Sequence, residues 1–383
     1  MRAHPTPQRS CRILVLGASG QFGRRLCGRL IGLDGVALLL GGRDPAKLTE
    51  TRAGLLALQP DTAVEVAPCD AGASNLADLL RTYEANLVVH LAGPFQGQDY
   101  KVARACLEAG VPYIDMADGR EFVARFASLD GAARARGIAL VTGASTVPGL
   151  SSAIVDVALA KFSTLQSIDY GISASLRTGL GSATLQAVLS YCGKPYQVLD
   201  EGAATTIYGL GRPRRHDFPT PVHHRVIVDC DIPDHALFPA RYPDLRYMSF
   251  GSGIDVPALA HVLSQMSRCV RRGWVADWDF LHGSVQFFMT AAKPFGSAHS
   301  GFFMRCEGCD DAGKPKKILL EILARNGSGL EIAVTPVVLL VGKLLAGESL
   351  PAGAYPCMGL FSLAEFQREL SSFPITWEWK EAA

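Results

Sequence analysis

The stretch Arg12-Ile13-Leu14-Val15-Leu16-Gly17-Ala18-Ser19-Gly20-Gln21-Phe22-Gly23 limits what this chain can fold into more than any other. Four apolar residues read as a strand buried on both faces. They run straight into three glycines and then into an amphipathic helix, Arg24-Arg25-Leu26-Cys27-Gly28-Arg29-Leu30. A strand, a glycine turn and a helix opening in this order make a dinucleotide site. The turn must be tight, its backbone must approach a pyrophosphate closely, and the helix must pack hard on the strand; each demand excludes a Cβ at one position. The helix N-terminus then turns free N–H groups and a positive dipole end toward the phosphates. Gly17, Ala18, Ser19, Gly20, Gln21, Phe22 and Gly23 are therefore the first cofactor-binding candidates. A tight turn without a ligand is the competing reading of the same glycines.

The strands that follow favour the dinucleotide. Val36 to Leu40 reads as a second strand, ending at Gly41-Gly42-Arg43-Asp44-Pro45-Ala46-Lys47. An NAD site places an acid near this point to hold the ribose hydroxyls. Here Arg43 and Lys47 occupy it, and a guanidinium suits the 2′-phosphate of NADP, so NADP is expected ahead of NAD. Asp44 before Pro45 reads as a helix cap. Ala63 to Ala67 is a short third strand, and Asp70 beyond it either reaches the adenine edge or caps the next helix. Leu87 to Ala92 is a fourth strand. Ligands of open α/β sheets lie outside the carboxyl ends of strands, which puts Ala92, Gly93, Pro94 and Phe95 beside the nicotinamide half. Tyr113 to Met116, a helix over roughly 121–136, and Ile138 to Thr142 complete six strands. The expected fold is α/β, an N-terminal Rossmann doubly wound parallel sheet over residues 1–146.

After Gly149 the pattern changes. A helix to Lys161 leads into alternating strands at Ser167 to Ser175, Arg225 to Asp231 and Arg246 to Phe250, and then a hairpin from Phe302 to Leu323. Helices fall near 182–191, 255–271 and 282–292, with proline-rich loops at 212–221 and 232–243. This is an α+β second domain, 147–330, suited to substrate binding and compatible with a homodimer through it. Residues 331–383 read as a C-terminal helical segment, with helices at 331–346 and 362–370, packing back on the first domain.

Composition narrows the function. Formal net charge is +1 with no basic block, which argues against nucleic acid. Arg212-Pro213-Arg214-Arg215 and Lys314-Pro315-Lys316-Lys317 sit among turn formers and read as solvated loops. The ten cysteines are scattered through apolar segments, as in a reducing cytosol, so a cytoplasmic location is expected. Cys306-Glu307-Gly308-Cys309 lacks a second ligand pair, and no metal site is expected. Met1 to Ser10 has no apolar core, so no signal peptide is expected. Ile332 to Leu345 is too short and too broken to span a bilayer.

The motifs Gly17 to Gly23, Gly42-Arg43-Asp44-Pro45-Ala46-Lys47-Leu48, Leu91-Ala92-Gly93-Pro94-Phe95, Ala105 to Asp115 and Val147-Pro148-Gly149-Leu150-Ser151-Ser152, taken in order, resemble the NADP-binding domain of the saccharopine dehydrogenase-like oxidoreductases. The likeness covers about 150 residues and leaves the middle of the chain unmatched. It implies hydride transfer between NADP(H) and a small-molecule substrate, often at a C–N bond, with a protein group exchanging the proton. Strand ends near the nicotinamide supply the candidates: Asp115 first, then Asp118 and Tyr100, with Ser145 after strand six. A turn aspartate bonded to backbone is the competing reading of Asp115. His90, inside an apolar strand, reads as a core histidine. No Tyr-x3-Lys pair occurs, which sets short-chain dehydrogenase chemistry aside. Two other functions stay open: reduction of a C=C bond in a lipid-like substrate, which an apolar cleft in the second domain would favour, and non-catalytic NADP binding as a sensor or scaffold.

Overall fold

The computed structural model describes residues 10–179 and 181–381; the polar opening over 1–9 and the final two positions lie outside the described residues. Sixteen strands are formed among them: β1 Cys11–Leu16, β2 Val36–Gly42, β3 Ala63–Pro68, β4 Leu87–His90, β5 Tyr113–Asp115, β6 Ala139–Thr142, β7 Thr164–Ala174, β8 Pro195–Asp200, β9 Ala203–Tyr208, β10 Arg214–Asp217, β11 His224–Asp229, β12 Tyr247–Ile254, β13 Ser300–Cys309, β14 Pro315–Ala324, β15 Gly353–Pro356 and β16 Ile375–Glu381.

Seven of these form a parallel sheet in the order β15-β6-β5-β4-β1-β2-β3. The order reverses between β1 and β4, the crevice where open α/β sheets bind ligands. The apolar runs read from sequence are buried as such runs must be: β4 is buried along its whole length, and Ile13 to Leu16 of β1 are closed off from water. The second sheet runs β10-β11-β12-β7-β13-β14-β16, with β12 and β7 parallel and the other pairs antiparallel. The hairpin expected from Phe302 to Leu323 is β13 and β14, each extended by several residues.

The helix Gly329–Leu345 joins the two sheets. It is apolar on nearly every side, as an interior helix is. Its Val334, Val338 and Val341 belong to one core with Val15 and Leu26 of the first sheet layer and Tyr170 and Met304 of the second.

Four local readings need correction. The single helix expected over 121–136 is broken into Arg120–Ala124, a 3-10 turn Phe126–Leu129 and Asp130–Arg136. The break lets Asp130 accept a hydrogen bond from the Ala354 amide in β15, 3.0 Å away. The C-terminal segment is not only helical: β15 extends the first sheet and β16 closes the second. The basic stretch 212–215 is only partly a solvated loop, since β10 begins at Arg214 and two of its arginines are ion-paired to the second sheet. Arg212 holds the buried Asp229 at 2.8 Å, and Arg214, in β10, pairs with Asp169. The proline-rich stretch 232–243 contains the helix Asp234–Arg241; Pro233 stands at its entry, where a missing N–H costs nothing.

Candidate cofactor and substrate site

Gly17 leaves β1 at φ +86°, a conformation that favours glycine, and a Cβ there would lie 3.0 Å from the Ala92 backbone. Gly20 caps the helix Gln21–Leu30, and its amide bonds to the Gly17 carbonyl at 3.0 Å. Gly23 serves packing: a Cβ would stand 2.1 Å from the Gly17 oxygen and 2.7 Å from Ala18. The turn therefore divides its labour as a dinucleotide turn does, with Gly20 open to the cleft and Gly23 closing helix on strand.

A cleft of 780 Å³ opens outside the carboxyl ends of β1, β2 and β4. Of the residues expected there, Gly17, Ser19, Gly20, Arg43, Lys47, Asp70, Ala92, Gly93 and Pro94 line it. Arg43 and Lys47 are exposed at its rim, beyond β2. Asp44 is occupied: Oδ1 accepts from the Ala46 and Lys47 amides, and Oδ2 lies 3.4 Å from Lys47 Nζ. Asp70 closes a turn by accepting from the Gly72 amide at 2.9 Å rather than capping a helix. The glycine cradle and the cations at the second strand's end fit an NADP molecule lying along this cleft.

Five expected cofactor residues lie elsewhere. Ala18 is fully buried. Gly23 packs as described. Phe95 is buried edge-on against His90 and Phe122. Gln21 and Phe22 turn to the opposite side, and Gln21 Nε2 donates to the Thr178 and Gly179 carbonyls at 3.0 and 2.9 Å. Gln98, not singled out in the sequence, fixes the loop after β4 by donating to Ala92 O and Pro94 O at 2.9 and 2.7 Å.

Beyond Gln21 and Phe22 lies a second cavity of 330 Å³. Its walls are apolar: Ile172, Val228, Phe250 and Phe302 from the second sheet, and Leu185 and Leu263 from its helices. The lining holds no lysine or arginine among the described residues. Its polar lining groups include Gln96, Asp118, Ser145, Tyr191, Cys230 and Asp231. One helix, Ser182–Ser190, separates the two spaces, with Ala183 and Gln186 toward the cleft and Thr184, Leu185, Ala187 and Val188 toward the cavity.

The three acid–base candidates part company here. Asp115 is fully buried and lines neither space. Its Oδ1 accepts from the Gly143 amide (2.8 Å), the Ala117 amide (2.9 Å) and Thr142 Oγ1 (2.9 Å), so it ties the end of β5 to that of β6. Burial pushes its pKa up to about 6 against those donors. The competing reading, a structural turn aspartate, describes it. Tyr100 also lines neither space; its hydroxyl donates to Phe122 O at 2.8 Å and its ring packs on Phe122 and Phe126. Asp118 does reach the cavity. Burial raises its pKa, while Gln96 Nε2, 3.2 Å from Oδ1, works against that rise. The neighbouring Asp231 is neutralised by Arg120 at 3.2 Å. Tyr191 Oη and Cys230 Sγ lie 2.8 Å apart, and burial raises both pKa values, keeping both groups protonated. His90 is a core residue, 3.0 Å from Tyr113 Oη, with its pKa lowered by burial to about 4.

Residues 13–141 match the family described as the saccharopine dehydrogenase NADP binding domain. The match spans 129 of the chain's 383 residues. Among solved structures, the chain is similar to saccharopine dehydrogenase (L-Glu forming) from Saccharomyces cerevisiae, with 12% identity, a TM-score of 0.64, and coverage of 98% of this chain and 100% of that one. At that identity the likeness is one of fold, and it extends beyond the NADP-binding domain to the second sheet. An amine dehydrogenase from Mycobacterium smegmatis is 14% identical over 70% of this chain and 92% of its own, with a TM-score of 0.41. No curated protein matches the chain in sequence. No helix among the described residues is long and apolar enough to cross a membrane.

Proposed function

We propose that this protein is an NADPH-dependent reductase of an apolar, lipid-like substrate, acting at a C=C bond conjugated to a carbonyl. The observation that carries this reading is the 330 Å³ apolar cavity, with no lysine or arginine among the described residues of its lining, next to the cleft that fits NADP. A zwitterionic amino-acid substrate needs a cation for each carboxylate, and the cavity offers none. When bound in the cleft, NADPH supplies the hydride. The chain's own residues then do three things. Apolar walls exclude water and hold the acyl body. Tyr191, protonated at neutral pH, is a donor for the carbonyl oxygen that becomes negative as the β-carbon is reduced. Asp118, its pKa raised by burial and its Oδ1 held by Gln96, faces the cavity as the group that would deliver a proton to the α-carbon.

The two carboxylates on the cavity wall favour a second reading, reduction of an imine to an amine on an equally apolar body. NADPH oxidation with enoyl thioesters of increasing chain length, apolar cyclic imines and amino-acid-derived imines separates the cases. Efficiency that rises with chain length on the enoyl series supports the first reading. Turnover confined to amino-acid imines overturns both, and tight NADPH binding without turnover on any of them leaves a sensor or scaffold. For cofactor choice, Arg43→Ala is expected to weaken NADPH binding by roughly 1.5–3 kcal/mol, the value of a charged hydrogen bond. NADH binding should barely change; equal losses in calorimetry would remove Arg43 from the 2′-phosphate.

A further inference from the structure

Exposed apolar surface is concentrated in one segment. Of nine large apolar side chains well exposed among the described residues, six fall between 262 and 295: Val262, Trp274, Phe280, Phe287, Phe288 and Phe295. The phenylalanines leave between 67% and 84% of their surface in water, a cost that chains normally avoid. The same segment builds the outer wall of the apolar cavity. Val262 lines the cavity and is itself 53% exposed, and Val285 and Met289 line it from the helix that carries Phe287 and Phe288 on its outer side. The helix His282–Ala292 thus has the cavity on one side and the bare rings of Phe287 and Phe288 on the other, and Pro257–Arg271 adds the exposed Val262.

Charge on this segment is net positive: four cations, Arg268, Arg271, Arg272 and Lys293, stand against two carboxylates, Asp277 and Asp279. Arg268, Arg271, Arg272 and Lys293 meet no carboxylate among the described residues; Arg271 lies over Tyr208 at 4.1 Å, Arg272 over Trp274 at 5.0 Å, and Arg268 contacts Gln265. Tryptophan and phenylalanine beside unpaired arginines, on a helix face too short to span, are the pattern of a segment lying in the headgroup region of a bilayer. The cations complement anionic headgroups. A second copy of the chain is the poorer occupant, because a two-fold contact would set a segment of net positive charge against itself.

We infer that the face formed by residues 262–295 docks on an anionic phospholipid surface, with the apolar cavity behind it. The docking rests on the aromatic and basic side chains alone. Passage of a lipid-like substrate from bilayer to cavity without crossing water rests in addition on the function proposed above.

Co-sedimentation of the full chain with phosphatidylcholine vesicles, with and without phosphatidylglycerol, tests it. Binding should be to the anionic vesicles and should weaken with salt. The Phe287→Ser/Phe288→Ser double variant should lose about tenfold or more in partition. Arg271→Gln and Arg272→Gln should each lose about fivefold on anionic vesicles only. NADPH binding measured on every variant shows that it is folded. Absence of wild-type binding, or undiminished binding by the phenylalanine variant, overturns the inference. So does a dimer in solution that the same substitutions dissociate while vesicles stay unbound. Turnover of short, soluble enoyl thioesters is scored separately, so failure of the docking surface is distinguished from failure of the proposed reaction.

Discussion

Asp115 and Asp118 stand three residues apart, and their surroundings give them different work. Asp118→Asn removes a proton but little volume; turnover of a reducible substrate should fall by about 10²–10⁴-fold with NADPH affinity unchanged. Asp115→Ala strands the donors of Thr142, Gly143 and Ala117 in a buried site and should cost roughly 3 kcal/mol or more in denaturant unfolding. Its activity per folded molecule should persist; a rate loss without a stability loss would reverse the two roles. His235 offers a test by pH. It is 4% exposed, and burial lowers its pKa to about 3, with Arg120 adding to the effect and the Cys230 backbone working against it. The unfolded histidine titrates near ~6.5, so between that pH and about 3 the unfolded chain binds a proton that the folded one refuses. Stability drains away at up to about 1.4 kcal/mol per unit as pH falls through this window, and is untouched above it. His235→Phe should flatten that part of the stability–pH curve; an unchanged slope would place the acid sensitivity elsewhere. At this scale the glycine turn, Arg43 and Lys47 were legible because their signal is local. Asp118 could not be separated from Asp115 in sequence, because what distinguishes them comes from Thr142, Gly143 and Gln96, more than twenty positions away.

Among elements, the contact between the helices Gln21–Leu30 and Gly329–Leu345 holds the glycine turn in register with the rest of the chain. Glu331 is 2% exposed and receives Arg25 and Arg29, each at 3.0 Å. Glu331→Ala should cost about 3 kcal/mol, the lower end for breaking a buried pair, since Arg29 keeps Glu369. Glu331→Gln should recover part of that. A loss below ~1 kcal/mol would mean the pair behaves as a surface one. Most elements could be read because hydrophobic period and length agree. β15 was missed for a physical reason: four residues with a glycine and a proline carry no period, and the strand exists only because β6 presents an open edge. β16 was a different kind of miss. Ile375, Trp377 and Trp379 alternate with polar residues, a period-two signal that the sequence carries in full.

For the molecule as a whole, the parallel sheet and its ligand edge followed from glycine spacing and strand order, whereas the substrate space did not. The apolar cavity is assembled from β7, β11, β12 and β13, three helices of the second half and the start of Gly329–Leu345, and only folding brings these together. The helix Ser182–Ser190 has a consequence of its own. Since it touches both the cleft and the cavity, a ligand that settles this helix from one side lowers the ordering cost of binding on the other. The two affinities are then one thermodynamic quantity: whatever factor NADPH adds to the binding of an apolar ligand, that ligand must add to the binding of NADPH. Calorimetry around the four-sided cycle should give equal factors on opposite edges, on the order of 5–150-fold. Replacing Gln186 by Gly, which loosens the helix, should shrink both together. A factor of one on every edge would mean that the wall between the spaces is rigid before either is filled.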